Sequence, residues 1–261
     1  MSRKRTGTSL PPPFLKRISL LPERMAGRTQ YPFNLPWLTD PGFELNFTAA
    51  ITIIVGENGT GKSTLIEAIA ALSGYDEAGG GKGYRPVDHS DAIDTSGGAL
   101  GEALRAAWLP KVTNGWFFKA ESFFSVARYL DEAARDDGGP PPDYLSESHG
   151  EGFLRFFEER LSRQGIYFLD EPESALSPKR QLQLLRILSR IQAEGRAQVI
   201  MATHSPLLMA LPEAQVLEIS KAGIAPTDYR QTRHFKLYQA FTADPAGFID
   251  DAIAEHDSGP F

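Results

Sequence analysis

The sequence predicts an α/β fold with a mostly parallel core sheet, an antiparallel N-terminal β portion and a helical subdomain. Three observations carry this. Four short apolar runs, at 51–55, 166–169, 198–203 and 215–219, are rich in Ile, Val, Leu and Phe, as strands covered on both faces require. Amphipathic helical patterns follow the first two. A glycine-rich break stands directly after the first run, at 56–61. Strands alternating with helices imply parallel pairing with helices on both faces.

Taken in order, residues 1–30 read as a basic lead-in, with Arg3, Lys4, Arg5, Lys16 and Arg17 around Pro11-Pro12-Pro13. Residues 31–261 read as a single domain. Residues 43–47 alternate like a half-buried strand, and 63–72 place Leu65, Ile66, Ile69 and Leu72 at helical spacing. The glycines between 74 and 101 predict a long loop. Residues 102–163 read as the helical subdomain, its first part packed around Trp108, Trp116, Phe117, Phe118, Phe123 and Phe124. A linker at 136–143 precedes a helix at 149–163. Ser177 and Pro178 open another, with Leu182, Leu185, Leu188 and Ile191 inward and a stop at Gly195. Residues 235–253 read as helical.

Composition narrows the function. The 261 residues carry 27 Lys+Arg and 33 Asp+Glu, a net charge of −6, which argues against a general nucleic-acid binder. The absence of cysteine excludes disulfides, thiolate metal sites and a cysteine nucleophile. No apolar run approaches the roughly 18–20 residues of a membrane span, and no secretory signal follows the basic start, so a cytoplasmic location is expected.

The sharpest motif is Gly56-Glu57-Asn58-Gly59-Thr60-Gly61-Lys62-Ser63, which fits G-x-x-x-x-G-K-[ST] between a buried strand and an amphipathic helix. Its glycines allow backbone N–H groups to converge on an anion, and the helix adds its positive end. Lys62 is expected to reach the β- and γ-phosphates, and Ser63 to ligate Mg²⁺. The strand at 166–169 ends in Asp170 and Glu171. At the carboxyl end of a parallel strand, Asp170 is expected near the same metal and Glu171 beside the attacking water. His204 ends the next apolar run, 33 residues after Glu171, at a third crevice-facing position. Ser148-His149-Gly150-Glu151 has the form of a capping box, a helix start that is also able to meet an anion.

In order and spacing these motifs resemble an ABC-type ATPase domain, within that class the soluble bacterial AAA-type group with ABC-like motifs. The segment 57–64, ending in Lys62-Ser63-Thr64, resembles the family's Walker A, and 166–171 its Walker B with the catalytic glutamate. Thr203-His204-Ser205 resembles its switch-histidine loop. Residues 148–151 stand where the family has its signature, and Ser174-Ala175-Leu176-Ser177 where it has its D-loop. The resemblance covers roughly residues 40–220 and implies hydrolysis of ATP to ADP and phosphate. It also implies an ATP-dependent head-to-tail homodimer, with Ser148, His149, Gly150 and Glu151 reaching across to the other copy's nucleotide. Departures are His149 for a signature glycine, Ser177 for the D-loop aspartate and Glu121 in place of the Q-loop glutamine, a further metal candidate. Tyr31 and Phe33 are candidates for stacking adenine.

Three other readings share part of the pattern. A nucleotide-binding subunit of a membrane transporter would bring a membrane partner. A DNA-repair or defence-associated ATPase would bring nucleic acid, yet the 86 residues from Lys62 to Ser148 hold no sustained heptads for a long coiled coil. A small-molecule kinase leaves Glu171 and His204 unexplained. The protein partner itself is not legible.

Overall fold

The computed structural model describes residues 9–82, 96–112, 114–120, 123–136, 140–144 and 149–256. Its main sheet comprises β3 (Ile51–Val55), β4 (Gly80–Gly81), β6 (Gly115–Lys119), β7 (Gly165–Asp170), β8 (Ala197–Ala202), β9 (Gln215–Ser220) and β10 (Gly223–Pro226). The strand order is β10-β9-β3-β8-β7-β6-β4, parallel from β9 to β6 and antiparallel at both edges. A second, antiparallel sheet has the order β2-β1-β5, from β1 (Leu15–Leu20), β2 (Glu44–Asn46) and β5 (Leu104–Trp108).

The central strands are apolar throughout because both faces are covered. Ile51, Ile53 and Val55 of β3, Tyr167 and Leu169 of β7, and Val199 and Met201 of β8 face one core. That core is closed by α4 (His149–Leu161) and α5 (Pro178–Glu194). Ile54, Ile166, Phe168, Ile200 and Ala202 face the other, against α1 (Lys62–Ser73), α2 (Ser96–Gly101) and the small sheet. Buried Gln198 joins the two sheets. Its Oε1 accepts the Phe14 and Leu15 N–H groups at 2.8 Å each, and its Nε2 donates to Leu15 O at 3.0 Å.

Four expectations need correction. The lead-in reading of 1–30 fails at β1, where Leu15 and Ile18 are fully buried and pair with β2 and β5. Residues 104–108 and 115–119 are strands, and only α3 (Phe123–Asp136) and α4 are helical within 102–163. The aromatic run hid β6 because Trp116 and Phe118 face one core and Phe117 the other, leaving no polar alternation. The glycine-rich stretch is not loop throughout: Gly80 and Gly81 pair with β6, Gly81 against the Trp116 ring, and α2 packs on α1. Residues 83–95 lie outside the described set. Finally, α5 buries Leu184, Ile187, Leu188 and Ile191, while Leu182 is exposed. The helix stops at Gly195 in the left-handed region.

After the short helix α6 (Pro206–Met209) and the β9–β10 hairpin come α7 (Arg233–Ala243) and α8 (Pro245–His256), mostly exposed. Thr232 Oγ1 accepts the Phe235 N–H and caps α7.

Candidate functional site

The glycine-rich loop is shaped by its own backbone and by one clamp. Gly61 caps α1 with φ 91°, and a Cβ there would meet Leu35 Cδ2 at 2.9 Å, so only glycine fits without displacement. Trp37 Nε1–H donates to Thr60 O at 3.0 Å, fastening the loop to the N-terminal segment. Lys62 Nζ rests on the loop's own Glu57 O at 3.1 Å. Burial pulls its ammonium below the ordinary lysine value, against the opposing pull of Glu171 and Asp170. A buried cation held by one neutral carbonyl is ready to take an anionic partner.

The parallel strands end together beside this loop. Ser63 Oγ donates to Asp170 Oδ1 at 3.2 Å, across 107 residues of sequence. Burial pushes the Asp170 carboxyl up to about 7, with Glu67 and Glu171 adding to the rise and Lys119 and Ser63 opposing it. A hydroxyl and a buried carboxylate are hard oxygen donors, and a carboxylate raised this far fits a site that takes a cation. Among the described residues no group of three or more His, Asp or Glu forms a metal cage.

Glu171 has φ 46° and ψ 53°, a left-handed conformation uncommon for glutamate. Its N–H donates to Ala202 O at 3.1 Å, and its carbonyl accepts from both the N–H and the Oγ of Ser174. The turn leaves its carboxylate half-exposed, with Oε1 3.4 Å from His204 Nε2. Strain of this kind gathers at working sites. His204 donates its backbone N–H to Glu173 Oε1 at 2.6 Å, while its Nε2 is buried with no hydrogen-bond partner. Burial and nearby Lys62 keep the imidazole below its ordinary value, hence neutral.

Behind the site, Lys119 and Glu67 form a buried ion pair at 2.7 Å, with Lys119 in register beside Asp170. Removing one partner of such a pair strands the other charge. Lys119→Met is expected to lower unfolding free energy in urea by about 3–5 kcal/mol, and Lys119→Met with Glu67→Met to regain most of it. A loss below about 1 kcal/mol in the single variant would show the pair to be dispensable.

The structure thus brings Gly56 to Thr64, Asp170, Glu171 and His204 to one edge of the sheet. Tyr31 OH and Thr64 Oγ1 share a hydrogen bond, and the exposed Tyr31 lines a cavity of about 740 Å³ with Arg28, Phe33, Glu77 and Glu102. The Arg28 guanidinium lies 4.7 Å from the Phe33 ring centre. Glu121 and Ser148 fall outside the described residues; His149 and Gly150 begin α4, and Glu151 pairs with Arg180 of α5. Sequence reasoning missed Glu173, Lys119 and His234. His234 Nε2 lies 2.9 Å from His204 Nδ1. None of these stands in a motif, so only the folded arrangement reveals them.

Two family models match the chain. One, described as "AAA domain, putative AbiEii toxin, Type IV TA system", covers residues 141–210; the other, described as "AAA domain", covers 37–102. The arabinose import ATP-binding protein AraG of Pectobacterium atrosepticum is 26% identical over 81% of this chain and 45% of its own length. The molybdenum import ATP-binding protein ModC of Mesorhizobium japonicum is 24% identical over 84% of this chain and 64% of its own. The chain therefore spans less than two thirds of either relative. Among solved structures, cbiO1 of Clostridium perfringens, part of the ABC transporter complex cbiONQ, has a TM-score of 0.43 at 16% identity over 79% of this chain and 89% of its own. The matched segments carry the phosphate loop and the strand ends at Asp170 and His204, and they are similar to AAA domains and to import ATP-binding proteins.

Proposed function

We propose that this chain binds Mg-ATP at the 56–64 loop and hydrolyses it to ADP and phosphate. ATP joins two copies head to tail, and hydrolysis parts them. The observation that carries this reading is the meeting of Lys62, Ser63, Asp170, Glu171 and His204 at the carboxyl ends of β3, β7 and β8.

Ser63 and Asp170 would hold Mg²⁺, which would supply charge neutralisation at the phosphates. Lys62 leaves Glu57 O for the β- and γ-phosphates, and the loop amides receive their oxygens. Glu171 accepts a proton from the attacking water. His204, neutral, donates from Nε2 to the γ-phosphate, an acceptor for its buried orphan nitrogen. Tyr31 borders the adenine, with Phe33 and Arg28 forming the wall behind it. Ser148, with His149, Gly150 and Glu151 at the start of α4, closes on the nucleotide of the second copy.

A second reading is favoured by the relatives' names. Both are import ATP-binding proteins, which supports a membrane subunit as the partner that the cycle drives. No described helix is long and apolar enough to cross a membrane, so such a subunit would be another chain or segment. A cytoplasmic location belongs to either reading, and the net charge of −6 gives nucleic acid no support.

Lys62→Ala tests the phosphate loop. ATP affinity, measured by calorimetry, is expected to fall at least about a hundredfold, the worth of one or two charge-assisted hydrogen bonds. Affinity within about threefold of the parent would remove Lys62 from the site.

A further inference from the structure

His234 belongs to none of the motifs, yet it opens α7 directly against His204. The two rings lie with centroids 4.9 Å apart, and His204 Nδ1 is 2.9 Å from His234 Nε2. The helix start is held by the Thr232 cap, and Arg233 Nε stands 3.7 Å from Glu57 Oε1 of the phosphate loop. Two imidazole nitrogens this close share one hydrogen, so one ring donates and the other accepts.

The direction of that bond decides what His204 offers on its other side. His204 is neutral and carries a single N–H. If its Nδ1 donates to His234, its Nε2 is a bare lone pair facing the Glu171 carboxylate at 3.4 Å, a repulsive arrangement. If His234 Nε2–H donates instead, His204 Nδ1 accepts and its hydrogen must sit on Nε2. That hydrogen then faces Glu171 and the space beside Lys62, as a donor awaiting an acceptor. The burial of Nε2 without a partner fits this second arrangement, because a bound phosphate oxygen would satisfy it.

We propose that His234 is a positioning residue: its Nε2–H fixes His204 as the Nε2–H tautomer and holds the ring for the γ-phosphate. This rests on the ATPase reading and adds to it a residue from the C-terminal helix.

The experiment combines NMR of the full chain labelled with ¹⁵N-histidine and steady-state ATPase kinetics of His234→Leu, His234→Gln and Glu171→Gln. In the parent, His204 is expected to show a protonated Nε2 and a bare Nδ1. His234→Leu should mix the two tautomers and lower kcat about tenfold, with KM for ATP changed less than about twofold. Glutamine carries an N–H where histidine carries Nε2–H, so His234→Gln should return kcat to within about threefold of the parent. A parent His204 protonated on Nδ1 overturns the inference. So does a His234→Leu variant that turns over like the parent while Glu171→Gln does not. If the parent hydrolyses no ATP, the ATPase reading falls, and the tautomer spectrum still decides the role of His234.

Discussion

Glu171→Gln is expected to abolish turnover while leaving ATP bound. The glutamine keeps the shape of the side chain and the left-handed turn, whose hydrogen bonds run through the backbone to Ala202 and Ser174. What it loses is the ability to take a proton from water, which general-base variants register as about 10²–10⁴ in kcat. No hydrogen bond joins Glu171 to the 56–64 loop among the described residues, so affinity for ATP should stay within about threefold of the parent. The trapped state also bears on assembly. If ATP joins two copies, light scattering of Glu171→Gln should show the mass double on adding Mg-ATP, and Ser148→Arg should return it to one copy. A variant that binds ATP and stays at the mass of one chain would sink the homodimer and leave the opposing half to another protein. Turnover near the parent's would remove Glu171 as the base.

How much of this was legible follows from how each feature is encoded. The phosphate loop is continuous in sequence, so strand, turn and helix are read together from residues 51–73. Asp170, Glu171 and His204 were legible for a topological reason. Parallel strands end on one edge, so residues that close two apolar runs are neighbours before any side chain is placed. The limits came where burial is two-sided or contact is long-range. β1 hid within a basic segment because Arg17 points outward to Glu44 while Leu15 and Ile18 are fully buried. β6 read as helix because its aromatics serve two cores at once. Glu173 and His234 reach His204 from 31 and 30 residues away, one by a turn and one by a helix start, and neither position carries a sequence signal. The neighbours of the adenine candidates are set in three dimensions, Tyr31 meeting Thr64 and Phe33 meeting Arg28.

Asp170→Asn should move stability and activity in opposite directions. In the protein free of metal and nucleotide, burial raises this carboxyl from the ordinary 3.8 to about 7. A carboxyl raised on folding binds its proton more tightly in the folded chain than in the unfolded one. Its contribution to stability is therefore complete below the unfolded value and lost as pH rises through the folded one. Between about pH 4 and pH 7 each unit costs about 1.4 kcal/mol at most, so the window is worth a few kcal/mol. Asparagine carries no charge and still offers an oxygen to Ser63 Oγ, the bond seen at 3.2 Å. In EDTA at pH 8 the variant should melt several degrees above the parent, and at pH 5 the two should converge. With Mg-ATP the order should reverse. The parent gains the binding energy of a charged ligand set, while the variant has lost the carboxylate that answers the cation, and its turnover should fall about a hundredfold or more. A variant that melts below the parent in EDTA at pH 8 would mean that Lys119, 2.7 Å from Glu67 and in register with Asp170, needs the aspartate charge more than burial opposes it. The raised carboxyl would then be the wrong account of this site. Equal gains from Mg-ATP in parent and variant would take Asp170 out of the metal shell, even if the stability order held.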